Sequence, residues 1–228
     1  MKKLIRNIVN RTYRPFLVNY LSSDRRFKYK NVHVYIPAGV FHPGFFFSTK
    51  MLLSVLNNIS MANKTFLEPG AGSGLISICM AKKGAKVTAT DISDIAVSCI
   101  RRNAKENDVT VEIIHSDLFE KITFQLYDVI AINPPYYKKK PESSADFAWY
   151  CGEHGEYFAT LFSQLNSYIH KDSIVLMALC ENVDSTMVFE YAAKFGFHPE
   201  LVQTKKNVLE TNFIYSLVSE KNADSNIK

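Results

Sequence analysis

From residue 65 the chain alternates short apolar strands with amphipathic helices. The first strand-to-helix turn carries three glycines at two-residue spacing, TFLEPGAGSGLISICMAKKG. That combination leaves few folds open. Strands that are apolar along their whole length need cover on both faces, and helices placed between them supply it. The pattern predicts strands over 65–68, 86–90, 109–115, 127–132, 174–179, 198–203 and 212–218, and helices over 74–82, 94–106, 155–169 and 184–195. The fold class expected is α/β, a doubly wound, mostly parallel sheet of seven strands. Ahead of it, 32–36 reads as a strand ending at Pro37-Ala38-Gly39, and Ser48 or Thr49 as the cap of a helix over 51–59.

The glycine turn sits where a sheet of this kind opens its ligand crevice, at the carboxyl ends of the strands. A Walker loop is excluded because no Gly-Lys-Ser/Thr follows, and a dinucleotide fingerprint fails because Leu75 and Ser77 occupy the positions of its last glycine. What remains is an acid followed by three alternating glycines, Glu68, Gly70, Gly72 and Gly74. This suits a nucleoside that carries a charged methionine part and no pyrophosphate, or else a tight turn alone. Asp91 ends the second strand, where a carboxylate can accept both ribose hydroxyls. Asp117 follows the third, where it can meet an adenine amino group between Ile92 and Leu118. Either acid could instead cap the next helix. Their weight comes from falling at successive strand ends.

The strand over 127–132 runs straight into Asn133-Pro134-Pro135-Tyr136. Two prolines stiffen the turn and donate nothing, so the Asn133 side chain and the Pro134 carbonyl can be held as two fixed acceptors. Two fixed acceptors fit a planar NH2 group, with Tyr136 stacked on its face. The candidates are the amino groups of adenine, guanine and cytosine and the side-chain amide of glutamine. Positioning would do most of the work, because nitrogen can release its proton after the transfer. The alternative is a rigid structural turn.

Charge is uneven. Lys and Arg total 27 against 22 acids, yet residues 1–50 hold ten basic residues and a single acid, Asp24. Residues 2–20 read as an amphipathic helix stopped or kinked at Pro15. The domain expectation is therefore a basic extension over 1–34, one domain over 35–220 and a frayed tail over 221–228. Such a basic front attracts phosphate backbones or an acidic partner, or merely solvates a helix. Cys79, Cys99, Cys151 and Cys180 have apolar neighbours and no CxxC pair, which predicts free thiols in a reducing compartment and no metal site. No apolar stretch approaches a membrane span and no signal peptide is evident, so no membrane association and a cytoplasmic location are expected.

Glu68–Gly74, Asp91, Asp117 and Asn133–Tyr136 together resemble the S-adenosylmethionine-dependent methyltransferases of Rossmann-like class I fold. The branch is the one that methylates amino groups, within the methyltransferase small domain group. That group includes release-factor glutamine methyltransferases and enzymes acting on bases of ribosomal or transfer RNA. The segment IPAGVFHPGFFFSTKMLL resembles the family's lead-in, except that Phe47-Ser48-Thr49 lacks its acid. The resemblance implies S-adenosylmethionine as cofactor, with Glu68 and the glycines facing its methionine part, Asp91 its ribose and Asp117, Ile92 and Leu118 its adenine. Thr49 is a further cofactor-side candidate. Asn133, Pro134 and Tyr136 are then the catalytic group, with Pro135, Lys138, Lys139 and Lys140 toward the substrate. Trp149, Tyr150 and His154 would cover the site or pack in a lid.

The bacterial glutamine enzymes carry a helical recognition domain before this lead-in, where the present chain has about 30 residues. Eukaryotic-like relatives lack that domain and share an acid-Asn pair, which Glu181-Asn182 resembles. The guanine enzymes carry Phe where Tyr136 stands. The expected activity is methylation of an adenine amino group in RNA, with glutamine N5-methylation of a protein such as a release factor as the alternative. A non-catalytic RNA- or protein-binding module on the same fold is a second alternative, and a nicotinamide-dependent oxidoreductase a remote one. Partners follow accordingly, RNA or a glutamine-bearing protein, for a chain compatible with a monomer.

Overall fold

The computed structural model describes residues 23–44, 47–143, 146–207 and 210–220. The helix expected over 2–20 and the tail 221–228 lie outside the described residues. An antiparallel hairpin, β1 (Arg25–Tyr29) and β2 (Val32–Ile36), leads into α1 (Phe47–Leu56). Then follow β3 (Thr65–Pro69), α2 (Leu75–Lys82), β4 (Lys86–Asp91), α3 (Asp94–Glu106), β5 (Glu112–His115) and β6 (Tyr127–Ile132). The rest is α4 (Glu156–Leu165), β7 (Ile169–Cys180), α5 (Ser185–Lys194), β8 (Phe197–Lys206) and β9 (Thr211–Ser219).

Strands β3 to β9 form one sheet in the order β5-β4-β3-β6-β7-β9-β8. The first five pair in parallel and β9 runs antiparallel to both β7 and β8. This is the seven-stranded class I arrangement expected. From β3 the chain winds outward to β5, then returns to place β6 on the other side of β3. The crevice between β3 and β6 is therefore the switch point where such sheets take ligands.

Period-two alternation along β6 explains the layers. Ile130 and Ile132 enter one core, with Phe158, Leu161, Phe162 and Leu165 of α4, whereas Val129 and Ala131 enter another with Leu52, Leu53, Ile78 and Met80. The four α4 residues are spaced three, four and seven apart, the stripe a helix needs to lie on a sheet. Truncating Phe162 to alanine would cost about 3–5 kcal/mol.

The hairpin is held in an unusual way. Asn103 of α3 and Asn107, which caps its end one turn on, each grip the backbone of β2 as a neighbouring strand would. Tyr35 N–H donates to Asn103 Oδ1 at 2.8 Å and Asn103 Nδ2 donates to Tyr35 O at 2.7 Å. Asn107 does the same with His33, at 3.1 and 2.6 Å. Asn103 Nδ2 also reaches Ser73 O at 2.9 Å, tying the hairpin to the glycine turn. Outside, the Arg102 guanidinium stacks 3.7 Å from the Tyr35 ring centroid.

Several expectations shift. The boundary at residue 35 falls inside β2, whose Val32 and Val34 are buried in the same core as α1 and α2. The strand expected from 109 begins at Glu112, because Val109 N–H closes the end of α3 onto Ala104 O at 3.1 Å. The helix expected to 169 stops at Leu165 with one 3-10 turn, and Ile169 already pairs with Tyr127. Ser48 and Thr49 do not cap α1; they lie inside its first turn, both buried. The four cysteines are free thiols. Among the described residues no helix is long and apolar enough to cross a membrane.

Candidate active site

A cleft of about 280 Å³ opens at the carboxyl ends of β3, β4 and β6, near the lower end of the range for small-ligand sites. Glu68, Gly70, Gly72, Asp91, Ile92, Asp117, Leu118, Thr49, Asn133, Pro134, Pro135 and Tyr136 all line it. Of the residues assigned to cofactor or substrate in sequence, Gly74 and the three lysines lie elsewhere. Gly74 starts α2 with φ +74°, and a Cβ there would come 2.9 Å from Ile100 of α3. Its role is close packing of loop on helix. Lys138 hydrogen-bonds Asp184 at 2.5 Å, Lys139 sits 3.8 Å from Glu142 and 5.1 Å over the Tyr150 ring, and Lys140 is exposed. The lysine run therefore flanks the cleft from outside, with two of its charges paired.

The walls on the β3 and β4 side are cross-tied. Asp91 accepts Gly72 N–H on Oδ2 at 2.8 Å and Ser93 N–H on Oδ1 at 2.9 Å. Burial still pushes its carboxyl above the usual range, against those two donors. Glu68 is buried, and its Oε2 accepts both the N–H and the hydroxyl of Ser77, at 2.8 and 2.5 Å. Burial outweighs these bonds and raises its pKa to about 8. Leu118, with φ +46°, is a non-glycine residue in the left-handed region, and Thr90 Oγ1 fixes its carbonyl at 2.9 Å. Such strain persists where the surroundings over-determine it. Partial burial and Glu120 both raise the Asp117 carboxyl.

Four carboxyl groups reach the cleft, from Glu68, Asp91, Asp117 and Glu156, and among the described residues no lysine or arginine does. A pyrophosphate would meet acids with no cation to offset them. A ligand with ammonium and sulfonium charges and two ribose hydroxyls finds the complementary groups, so these residues fit S-adenosylmethionine.

On the β6 side the Asn133–Tyr136 turn forms the wall. Tyr136 does not leave the Asn133 oxygen open: its hydroxyl donates to Asn133 Oδ1 at 2.8 Å. Burial lifts the Tyr136 phenol well above its ordinary range. The chain after the turn doubles back, with Tyr136 and Tyr137 N–H both donating to Trp149 O, at 3.1 and 2.9 Å, and Cys151 N–H to Tyr137 O at 2.9 Å. This flap brings Trp149 and Tyr150 to the cleft, where Trp149 meets Phe41 with ring centroids 5.7 Å apart; His154 stays outside. Phe41, within the lead-in segment, also lines the cleft, as does Tyr157, which no motif marks. Burial and the nearby Asp117 and Asp91 carboxyls hold the Tyr157 phenol high.

The methyltransferase small domain family model matches residues 31–150, just over half of the chain. A Methanocaldococcus jannaschii protein provisionally named a protein N5-glutamine methyltransferase is 40% identical over 130 residues, 54% of this chain and 66% of that protein. The release factor glutamine methyltransferase of Streptococcus pneumoniae is 40% identical over 83 residues, 36% of this chain and 29% of its own length. The chain thus spans less than two thirds of either relative. In structure it is similar to the E. cuniculi Mtq2–Trm112 complex responsible for methylation of the eRF1 translation termination factor. The TM-score is 0.61 at 20% identity, covering 80% of this chain and 99% of that one, a likeness of fold. With its glycine turn, strand-end acids and Asn-Pro-Pro-Tyr wall in one crevice, the chain belongs to the methyltransferase small domain family, S-adenosylmethionine-dependent enzymes of class I Rossmann-like fold.

Proposed function

We propose that the chain methylates the side-chain amide nitrogen of a glutamine in a protein, with S-adenosylmethionine as methyl donor. The observation that carries this reading is the cleft itself: an acid-lined pocket that no lysine or arginine lines among the described residues, ending on Asn133, Pro134 and Tyr136. The donor supplies an electrophilic methyl on a sulfonium. Glu68 and Asp91 hold its charged and ribose ends, and Asp117 with Leu118 and Ile92 its base. Asn133 Oδ1 and the Pro134 carbonyl accept the two hydrogens of the planar acceptor, and Tyr136 fixes its plane. That aims a poorly nucleophilic nitrogen, and the flap at Trp149 limits water.

Both sequence relatives above are named glutamine methyltransferases, which favours glutamine over adenine in RNA, the acceptor placed first on sequence. The electrostatics lean the same way, since a nucleic-acid backbone asks for free cations at the mouth, and two of the three lysines beside it, Lys138 and Lys139, are paired with Asp184 and Glu142. The thiols suit a reducing, cytoplasmic setting. The test is transfer of a labelled methyl to a release-factor peptide bearing one glutamine, to the same peptide with asparagine, and to total RNA, with Asn133→Ala as control. Label in the glutamine peptide alone, lost in Asn133→Ala, is expected. Label in RNA alone would restore the adenine reading.

A further inference from the structure

We infer that Phe41 and Trp149 are positioning residues whose ring contact couples donor to acceptor: a donor seated on the glycine turn tightens the hold of the Asn133 wall on the acceptor. The inference rests on the acceptor-holding role proposed for Asn133.

The two walls of the cleft are joined at its floor by the sheet, where Phe66 and Leu67 of β3 pair with Val129 and Ile130 of β6. They meet again through side chains. Phe41 lies over the glycine turn, its Cβ 3.9 Å from the position that a Cβ on Gly72 would take. Trp149 belongs to the flap, and its ring meets that of Phe41 with centroids 5.7 Å apart and planes at 52°. Aromatic rings at that separation touch and attract each other. Both residues line the cleft, so its contents bear on the pair.

Trp149 in turn holds the catalytic turn. Its carbonyl accepts the N–H of Tyr136 and of Tyr137, at 3.1 and 2.9 Å, and the Tyr136 hydroxyl donates to Asn133 Oδ1 at 2.8 Å. Contacts therefore run without a gap from Gly72 through Phe41, Trp149 and Tyr136 to Asn133. Gly72 N–H is also bonded to Asp91, so one end of the series lies in the donor seat and the other at the acceptor's NH2. Phe41 and Trp149 are each only half-buried, which leaves ring motion for a donor to remove. Ordering the rings once, when the donor binds, spares the acceptor that cost, and the result is positive coupling. Linkage requires the acceptor to tighten donor binding by the same factor. The coupling suits the chemistry, because a poorly nucleophilic amide gains from being fixed only when a methyl is present.

Trp149 is the single tryptophan of the chain, so its fluorescence reports on the contact directly. S-adenosylhomocysteine, which has no methyl to give, stands in for the donor, and the release-factor peptide with one glutamine is the acceptor. In the wild type, saturating S-adenosylhomocysteine should lower the peptide Kd by about two- to tenfold, the worth of one aromatic pair. Peptide should lower the S-adenosylhomocysteine Kd equally. In Phe41→Ala and in Trp149→Ala that coupling should vanish, and the double variant should lose nothing further. Trp149→Phe should retain the wild-type coupling, whereas Phe41→Leu, which keeps bulk without a ring, should not. S-adenosylhomocysteine alone should change the Trp149 emission in the wild type, and change it less in Phe41→Leu. Absence of coupling in the wild type, or undiminished coupling in Phe41→Leu or Trp149→Ala, would overturn the inference. If the alanine variants do not fold, Phe41→Leu and Trp149→Phe decide. If the peptide binds to no form of the protein, the glutamine reading fails and the emission decides alone, equal responses in wild type and Phe41→Leu sinking the ring contact as the link.

Discussion

The two walls of the cleft are built differently. On the β3–β4 side two acids are tied to the main chain, Asp91 to Gly72 and Ser93 and Glu68 to Ser77, with the Leu118 carbonyl clamped by Thr90. Behind them Asn103 locks Ser73 to the hairpin. On the β6 side Asn133 is held by the Tyr136 hydroxyl, and the flap is secured by a few backbone bonds to Trp149 and Tyr137. One wall is set before any ligand arrives. The other has polar groups that can exchange partners when an acceptor enters. A common donor needs a fixed seat, whereas an acceptor on a large partner must be met and released.

Four measurements press on this contrast. Asn103→Asp puts a carboxylate against Tyr35 O and Ser73 O, at 2.7 and 2.9 Å. It should cost about 3–5 kcal/mol in urea unfolding, the range for a stranded buried charge. Asn133→Ala should lower kcat by about 10²–10³, as loss of a positioned transition-state contact does, with cofactor affinity by calorimetry within about twofold of wild type. Asp91→Ala should reverse that pattern: weaker cofactor binding, and roughly 1–3 kcal/mol of stability lost from the freed Gly72 and Ser93 amides. If both variants lost cofactor and turnover alike, the two walls would not be separate.

The last measurement concerns pH. The Glu68 carboxyl titrates near 8 in the folded chain against an ordinary 4.5. For a group raised on folding, its stabilising share is complete below 4.5 and is lost as pH climbs through 8. Glu68→Gln removes that loss. Its urea midpoint should rise relative to wild type between pH 5 and 9, and a constant difference would show that Glu68 is not buried as described. A cationic ligand beside Glu68 should favour the charged form, so cofactor binding near pH 7 should release protons, seen as a heat that depends on buffer.

What the sequence revealed was what depends on neighbours in the chain. Glu68, the glycines, Asp91 and Asn133–Tyr136 each sit at a strand end, and strand ends follow from local apolar runs. Contacts between distant segments left no such trace. Asn103 and Asn107 look like ordinary surface residues of α3 until β2, about 70 residues earlier, comes alongside. Ser48 and Thr49 read as a cap because serine and threonine favour that role, while tertiary packing extends α1 past them to Phe47. Val109 looked like strand for its branching and was used to finish a helix. Phe41 and Tyr157 reach the cleft only through the return of the chain, and the pairing of Lys138 with Asp184 joins residues 46 apart.

The grip of α3 on the hairpin carries a lesson for redesign. Asn103 and Asn107 read the main chain of β2 and ignore its side chains, so the exposed His33 is open to rewriting, while Tyr35 keeps its stack with Arg102 and Val32, Val34 and Ile36 must stay apolar. A foreign hairpin of equal length, apolar on its inner face, could be grafted onto this helix without altering the helix at all. The molecule thus offers an exchangeable socket beside its glycine turn.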